Sequence, residues 1–279
     1  MKIAVTGGSG YIGSALVAEL VAHGHTVTAL VRNAVAAEKV SRLGAVAAVG
    51  DLFDPGWTAA RFTEADAVAH LAATGNASTQ QLDRGVVEAA QRAGKPYVHT
   101  SGIWLWGASP AITEESPIQP PALTQWRVPV DESALTSGLV VTVLAPAVVY
   151  GHGTGIPAGV LAQRTLDGKL PLVGDGSQHW TTVHVDDLAA LYRIVLERGE
   201  GLGYLIGASG DNPTVRELAE AVAGPGGVVE QTVGATHERY GTAYADALLL
   251  DQQASGVKAR SLGWEPKAPA LLAEIGNRR

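Results

Sequence analysis

Apolar and polar positions in the amino-terminal half of the chain switch repeatedly between two periods. Lys2 to Val5 is a short apolar run of strand character. After a glycine-rich turn, Ser14 to His23 carries Leu16, Val17, Leu20 and Val21 at helical spacing. His25 to Val31, Ala45 to Gly50 and Asp66 to Leu71 read as further strands. Thr79 to Ala93 is an amphipathic helix with Leu82, Val86, Val87 and Ala90 on one side. Gly94-Lys95-Pro96 end it before a fifth strand, Tyr97 to Thr100. Beyond a long loop from Gly102 to Ala122, a helix is expected around Thr124 to Thr136 and a sixth strand over Leu139 to Leu144. Ala145 to Gly151 then leaves the sheet, Tyr204 to Ile206 is another strand, and Pro213 to Ala223 another helix. Strands alternating with helices predict an α/β fold with a doubly wound parallel sheet. Residues 1–150 form its nucleotide-binding part and 151–279 a smaller, interleaved substrate lobe, of which about 180–206 returns to the main sheet.

The turn after the first strand reads Val5-Thr6-Gly7-Gly8-Ser9-Gly10-Tyr11-Ile12-Gly13. Strand, glycine turn and helix in that order are the setting of a dinucleotide fingerprint, here spaced G-x-x-G-x-x-G. Gly7 permits the tight turn, Gly10 lets the backbone approach a pyrophosphate, and Gly13 lets the helix lie close to the strand. The helix start then offers free N–H groups and a positive dipole end to the anion. At the tip of the second strand a protein that prefers NAD usually has an acid for the ribose hydroxyls. This chain has no acid between Glu19 and Glu38, and Arg32 stands there instead, so NADP(H) is favoured over NAD(H).

Composition narrows the partners. A hydrophobic fraction of 46% with 17% charged residues suits a globular core. The net charge of −7, with no basic run, argues against nucleic acid. Cysteine is absent, which removes disulfides and thiol chemistry. No run is long and apolar enough to span a bilayer, and Gly7 to Gly10 interrupt anything resembling a leader, so a cytoplasmic protein without membrane contact is expected. No metal-ligand spacing stands out, and no metal is expected.

The glycine turn with Thr6 resembles the opening of the short-chain dehydrogenase/reductase superfamily. Gly174 to Ala189 and Leu262-Gly263-Trp264-Glu265-Pro266 resemble its extended, epimerase/dehydratase-like branch. The resemblance spans nearly the whole chain and implies a Rossmann-type fold. It implies that Asp51 and Leu52 lie against the adenine. It also implies that Tyr11, Ile12, Leu71, Ala72, Ala73, Thr100, Pro146 and Val148 line the nucleotide. Asp186 or Asp187 is expected to cap the helix running to Glu197. The superfamily's tyrosine–lysine pair is missing, since no tyrosine here has a lysine four positions on. Registering the helix on Glu132 puts Thr124 and Val128 at those positions, or Arg127 in a neighbouring register. The orienting serine falls on Gly102, with Ser101 one residue early, and Leu82 stands nearest the usual asparagine. Trp180 occupies the place of the arginine that holds a nucleotide sugar's diphosphate. Trp104, Trp106 and Trp180 become candidates for an apolar substrate site. Tyr150 and His152, with Ser101, are the remaining candidates for proton chemistry. The leading expectation is an atypical oxidoreductase acting on a carbonyl or imine of a small apolar molecule. A cofactor-binding sensor without turnover and an epimerase are the alternatives, and a homodimer is possible in either case.

Overall fold

The computed structural model describes residues 1–277. The first half runs β1 (Lys2–Thr6), α1 (Tyr11–Ala22), β2 (Thr26–Val31), α2 (Ala34–Arg42), β3 (Val46–Val49), α3 (Pro55–Thr63), β4 (Ala67–His70), α4 (Thr79–Ala93) and β5 (Tyr97–Thr100). Then follow β6 (Ser109–Ile112), α5 (Val128–Leu135), β7 (Val141–Pro146), β8 (Val148–Gly151), β9 (Thr154–Gly155), α6 (Ile156–Leu161), β10 (Leu170–Pro171), β11 (Thr182–His184), α7 (Val185–Arg198) and β12 (Gly203–Gly207). The last stretch holds α8 (Val215–Ala223), β13 (Val228–Val229), α9 (Val233–Tyr240), α10 (Thr242–Leu248), β14 (Gln252–Ala254), α11 (Val257–Ser261) and α12 (Leu271–Gly276).

Seven strands form one parallel sheet in the order β3-β2-β1-β4-β5-β7-β12. Because β2 and β4 leave β1 in opposite directions, a crevice opens outside the carboxyl end of β1. Both faces of the sheet are covered, which explains why its strands are apolar on successive residues and do not alternate. On one face Leu16, Val17 and Leu20 of α1 share a core with Leu188, Leu191 and Val195 of α7. On the other, Phe62, Val86, Val87 and Val130 bring α3, α4 and α5 together. A third cluster, including Val160, Leu161, Leu172, Trp180 and Leu218, holds the later segments. Each such buried side chain contributes on the order of 1.5–3 kcal/mol.

The sixth expected strand lies two residues further on, over Val141–Pro146, because Val140 is 43% exposed and the buried run begins after it. The chain changes sheets at one point. Ala147 N still bonds Gly207 O at 2.9 Å, whereas Val148 N already bonds Thr181 O at 2.9 Å. The loop after β5 is not bare. It contains a 3-10 turn at Ile103–Trp106 and β6, which pairs with β14 from far along the chain. The expected helix near Thr124 divides into a 3-10 turn, Gln125–Arg127, and α5, with Pro129 in the first turn where its missing N–H is harmless.

Candidate active site

The cradle is built by close backbone approach. Gly7 has φ +72°, and a Cβ there would lie 2.6 Å from the backbone of Leu71 and Ala72 at the end of β4. A Cβ on Gly13 would lie 2.1 Å from Gly7 O, so only glycine lets α1 start against the turn. Gly10 is different. A Cβ there meets only Gly7 O, at 3.2 Å, which leaves the space in front of it open for a ligand. Gly10 N donates to Gly7 O at 2.9 Å, and no side chain caps α1. The first N–H groups of α1, at Tyr11, Ile12 and Gly13, therefore have no intrahelical acceptor and suit an anion. The residues fit a dinucleotide pyrophosphate.

Arg32 is exposed at the carboxyl end of β2, and Asn33 accepts from Ala36 N at 2.9 Å to cap α2. Lys39 of α2 reaches back to donate from Nζ to Ser9 O at 2.6 Å. Two cations thus flank this side of the glycine turn. Lys39 was hidden in the sequence because only the packing of α2 beside the turn brings it there. Asp51, exposed, accepts from Phe53 N at 2.9 Å, while Leu52 packs against the α3–α4 core. Leu71 and Ala72 hang on Thr6 Oγ1 through their N–H groups at 3.2 and 3.4 Å, and Ala73 is exposed beside them. Pro146 and Val148 are buried where the chain changes sheets.

Beneath the crevice runs a polar network that the sequence did not announce. The Thr6 hydroxyl lies 2.6 Å from His70 Nδ1, His70 Nε2 lies 3.0 Å from Asp83 Oδ1, and Asp83 Oδ2 is 4.0 Å from Arg127 Nη1. Arg127 Nη1 also donates to Thr100 O at 3.3 Å, and its guanidinium stacks 4.6 Å from the Trp126 ring centre. Thr100 Oγ1 meets Tyr192 OH at 2.7 Å. Burial holds His70 below its ordinary pKa against the pull of Asp83. Burial also opposes the charge on Asp83, but the hydrogen bond from His70 and the nearby Arg127 guanidinium outweigh it and keep this carboxyl below its ordinary value. A neutral His70 accepting from Thr6 and donating to Asp83 satisfies every partner. The residue that α4 turns toward Arg127 is Asp83, next to the expected Leu82, which is buried in the α3–α4 core. A signal existed, since Asp83, Val86, Val87 and Ala90 follow helical spacing on the buried side.

The expected proton carriers fall into two groups: Ser101 on the Asp131–His99 network, and Tyr150 and His152 both against the ring of His184. Ser101 is 7% exposed, and its Oγ donates to Asp131 Oδ2 at 2.6 Å. Asp131 Oδ1 lies 3.3 Å from His99 Nε2, and Tyr97 OH 2.9 Å from His99 Nδ1. Tyr150 donates its hydroxyl to Pro269 O at 2.7 Å, and burial, reinforced by nearby carboxylates, raises its pKa well above the ordinary phenol value. A phenol so committed is a poorer proton donor than the sequence suggested. Its ring packs edge-on against His184, which in turn packs against His152. His152 is exposed, with Nε2 at 3.0 Å from both oxygens of Asp186.

Two of the three tryptophans need correction. Trp106 is 2% exposed and packs edge-on against Tyr204, and Trp180 is 2% exposed with Nε1 donating to Leu248 O at 3.0 Å. Both fill core because the long loops they sit on fold over apolar clusters. Trp104 is only half-buried and meets Tyr244 edge-on. The helix cap also differs. His184 accepts from Asp186 N at 3.2 Å and caps α7, with Asp186 and Asp187 in its first turn. Asp187 faces inward and accepts from Lys267 N and Ala268 N at 2.8 and 3.0 Å, while its carbonyl accepts from Trp264 Nε1 at 2.7 Å. The two resembling stretches are thus parts of one clamp on the carboxyl-terminal segment. That segment closes a cavity of about 420 Å³ whose wall includes Tyr150, Pro157, Leu161, Leu271, Glu274 and Ile275.

A glycine cradle at the crevice of a parallel seven-stranded sheet defines a nucleotide-binding protein of the Rossmann class. The profile of the NAD(P)H-binding family matches residues 7–164, and that of the NAD-dependent epimerase/dehydratase family matches residues 129–207. The chain belongs to the NAD(P)-binding, epimerase/dehydratase-like extended branch of the short-chain dehydrogenase/reductase superfamily. It is 30% identical to a UDP-glucose 4-epimerase of Mycolicibacterium smegmatis, over 98% of this chain and 96% of that one. It is 29% identical to a 3-diazoavenalumate denitrifying reductase of a Streptomyces species, over 99% of both chains. The Thermus thermophilus UDP-glucose 4-epimerase solved with NAD shares the fold, with a TM-score of 0.75 and 24% identity over 99% of this chain and 97% of that chain. Among the described residues no helix is long and apolar enough to cross a membrane.

Proposed function

We propose that the protein is an NADP(H)-dependent oxidoreductase that reduces a carbonyl or imine on a small, mostly apolar molecule. The observation that carries the nucleotide half is the cradle with Arg32 and Lys39 beside it and no acid at the tip of β2. When bound, the nicotinamide supplies or accepts the hydride. The amides behind Gly7 to Gly13 grip the pyrophosphate, Arg32 and Lys39 face the adenosine side, and Leu52 with Asp51 lies against the adenine. Arg127, braced by Asp83, is available on the nicotinamide side at the end of β5.

The cavity lined by Tyr150, Leu161, Leu271 and Ile275 has the size and apolar wall of a small-molecule site, and Trp104 borders the same lobe. Glu274 adds a carboxylate to that wall, which suits a substrate with a protonated nitrogen. An imine can arrive already protonated as its iminium, so it asks less of a site whose Tyr150 hydroxyl is already bonded to Pro269 O. The kinship with a 3-diazoavenalumate denitrifying reductase supports a reductase reading. The kinship with an epimerase favours a second reading, transient oxidation of a sugar nucleotide. Against it, Trp180 is locked in core where a diphosphate-binding cation would be needed.

The test is a fluorescence titration with NADPH and NADH on the wild type and on Arg32→Ala, followed by turnover on ketones, cyclic imines and UDP-glucose. Tighter NADPH binding that Arg32→Ala weakens about tenfold, with imine reduction, is expected. Equal affinity for both nucleotides removes the NADP assignment, and epimerisation without net nucleotide consumption favours the second reading.

A further inference from the structure

We propose that His152, His184 and Asp186 form a binding site for a divalent d-block cation such as zinc, on the rim of the cavity. The sequence hides the set, because His152 follows β8 and the other two stand at the start of α7. The tertiary structure brings one ligand atom from each to within 4.8 Å of the others. His152 Nε2 is 3.0 Å from the Asp186 carboxylate, and His184 Nδ1 is 3.7 Å from Asp186 Oδ2. Ligands about 2.0–2.1 Å from a tetrahedral zinc stand about 3.3–3.4 Å from one another, and the two observed separations bracket that value. Two imidazoles and one carboxylate are a borderline donor set that suits zinc, cobalt or iron and not calcium.

His184 Nδ1 accepts the Asp186 N–H at 3.2 Å, so the one lone pair at that atom caps α7 in the metal-free chain, and an ion taking Nδ1 would displace that hydrogen bond. His184 Nε2 lies 3.7 Å from Glu274 Oε2, beyond hydrogen-bond distance but near enough for that carboxylate to add negative charge beside the ring. His152 is the single non-glycine among the described residues with positive φ, at 53°, between Gly151 at 125° and Gly153 at 72°. A Cβ on Gly151 would lie 2.5 Å from His184 Nε2, so glycine lets this loop lie on the His184 ring and carry His152 over to α7. The positive end of α7 opposes a cation here, and the carboxylates of Asp186 and Asp187 in the first turn offset it. Gly151, Gly153 and Glu274 line the cavity, so the three ligands stand beside it. This inference is independent of the nucleotide reading.

The test is calorimetric titration of the untagged, chelator-washed chain with Zn²⁺ and Co²⁺, together with the visible spectrum of the cobalt form. One ion per chain with micromolar affinity and the absorption of tetrahedral cobalt are expected. His152→Ala and Asp186→Asn should each weaken binding at least tenfold. His184→Asn, which can still cap α7, should weaken it while leaving the unfolding temperature of the metal-free chain within a few degrees of wild type. Absence of saturable binding below millimolar metal overturns the site. So does binding that all three substitutions leave unchanged, because the ion then sits elsewhere.

Discussion

Gly10 and Gly13 look alike in the sequence and do different work. A Cβ on Gly13 collides with the Gly7 carbonyl at 2.1 Å, whereas a Cβ on Gly10 meets that same oxygen at 3.2 Å and nothing else nearby. Gly13→Ala is therefore expected to destabilise the fold by about 1–3 kcal/mol, as overpacking does. Gly10→Ala should lower the unfolding temperature less than Gly13→Ala does and weaken nucleotide binding tenfold or more. Thermal unfolding and NADPH titration of both variants separate the two effects, and equal destabilisation by the two would contradict the assignment. The His70–Asp83 pair gives a second expectation at this scale. His70 titrates lower in the fold than in the unfolded chain, so below about pH 6.5 the unfolded state binds more protons and stability falls as the pH drops. Asp83, also held low, adds loss in the same direction nearer pH 4, below the ordinary carboxylate value. Urea unfolding from about pH 7.5 to about 3 should show this decline, and His70→Asn should flatten its upper part. An unchanged slope in that variant would place the acid sensitivity elsewhere.

At the scale of elements, α7 acts as a fastener. Its first turn is capped by His184, and Asp187 one turn in holds two amides and, through its carbonyl, Trp264 of the carboxyl-terminal segment. That segment supplies Pro269 O to Tyr150 and carries Glu274 and Leu271 into the cavity wall. Hydrogen bonds to a charged acceptor contribute about 1.5–3 kcal/mol. Asp187→Ala is expected to cost about that much and to expose the stretch near Lys267 to limited tryptic cleavage, with nucleotide affinity little changed. Cleavage at the wild-type rate would show that the segment is held by other contacts. The capping residue itself was not foreseen, because Asp186 and Asp187 are the better cap formers by type. His184, paired with Tyr150 at the end of β11, stands one position before α7, where its side chain accepts the Asp186 N–H.

At the scale of the whole molecule, a bound nucleotide would touch the ends of β1, β2, β4 and β5 at once, so binding and folding are coupled. Ligand at a hundredfold excess over its dissociation constant stabilises the fold by about 2.7 kcal/mol. For a chain of this size that is a rise of roughly 5–10 °C in unfolding temperature. NADPH is expected to produce it in differential scanning calorimetry and NADH at the same concentration to produce less. No shift with either nucleotide would count against an intact cradle.

The parallel sheet, its order of helices and the cradle were legible from the chain alone, because they rest on local matters: hydrophobic period, glycine spacing and the elements on either side. The absence of an acid at the tip of β2 was legible for the same reason. The tertiary structure alone decided which polar residues meet. Arg127 and Asp83, His99 and Asp131, His152 and Asp186 are each separated by more than thirty positions or by a strand and helix. It also decided that Trp106 and Trp180 are core and Trp104 half-buried, since burial depends on what a long loop folds over and not on residue type. Local sequence sets backbone conformation through steric and hydrogen-bonding preferences of near neighbours, whereas a site is a coincidence of distant side chains that only packing creates.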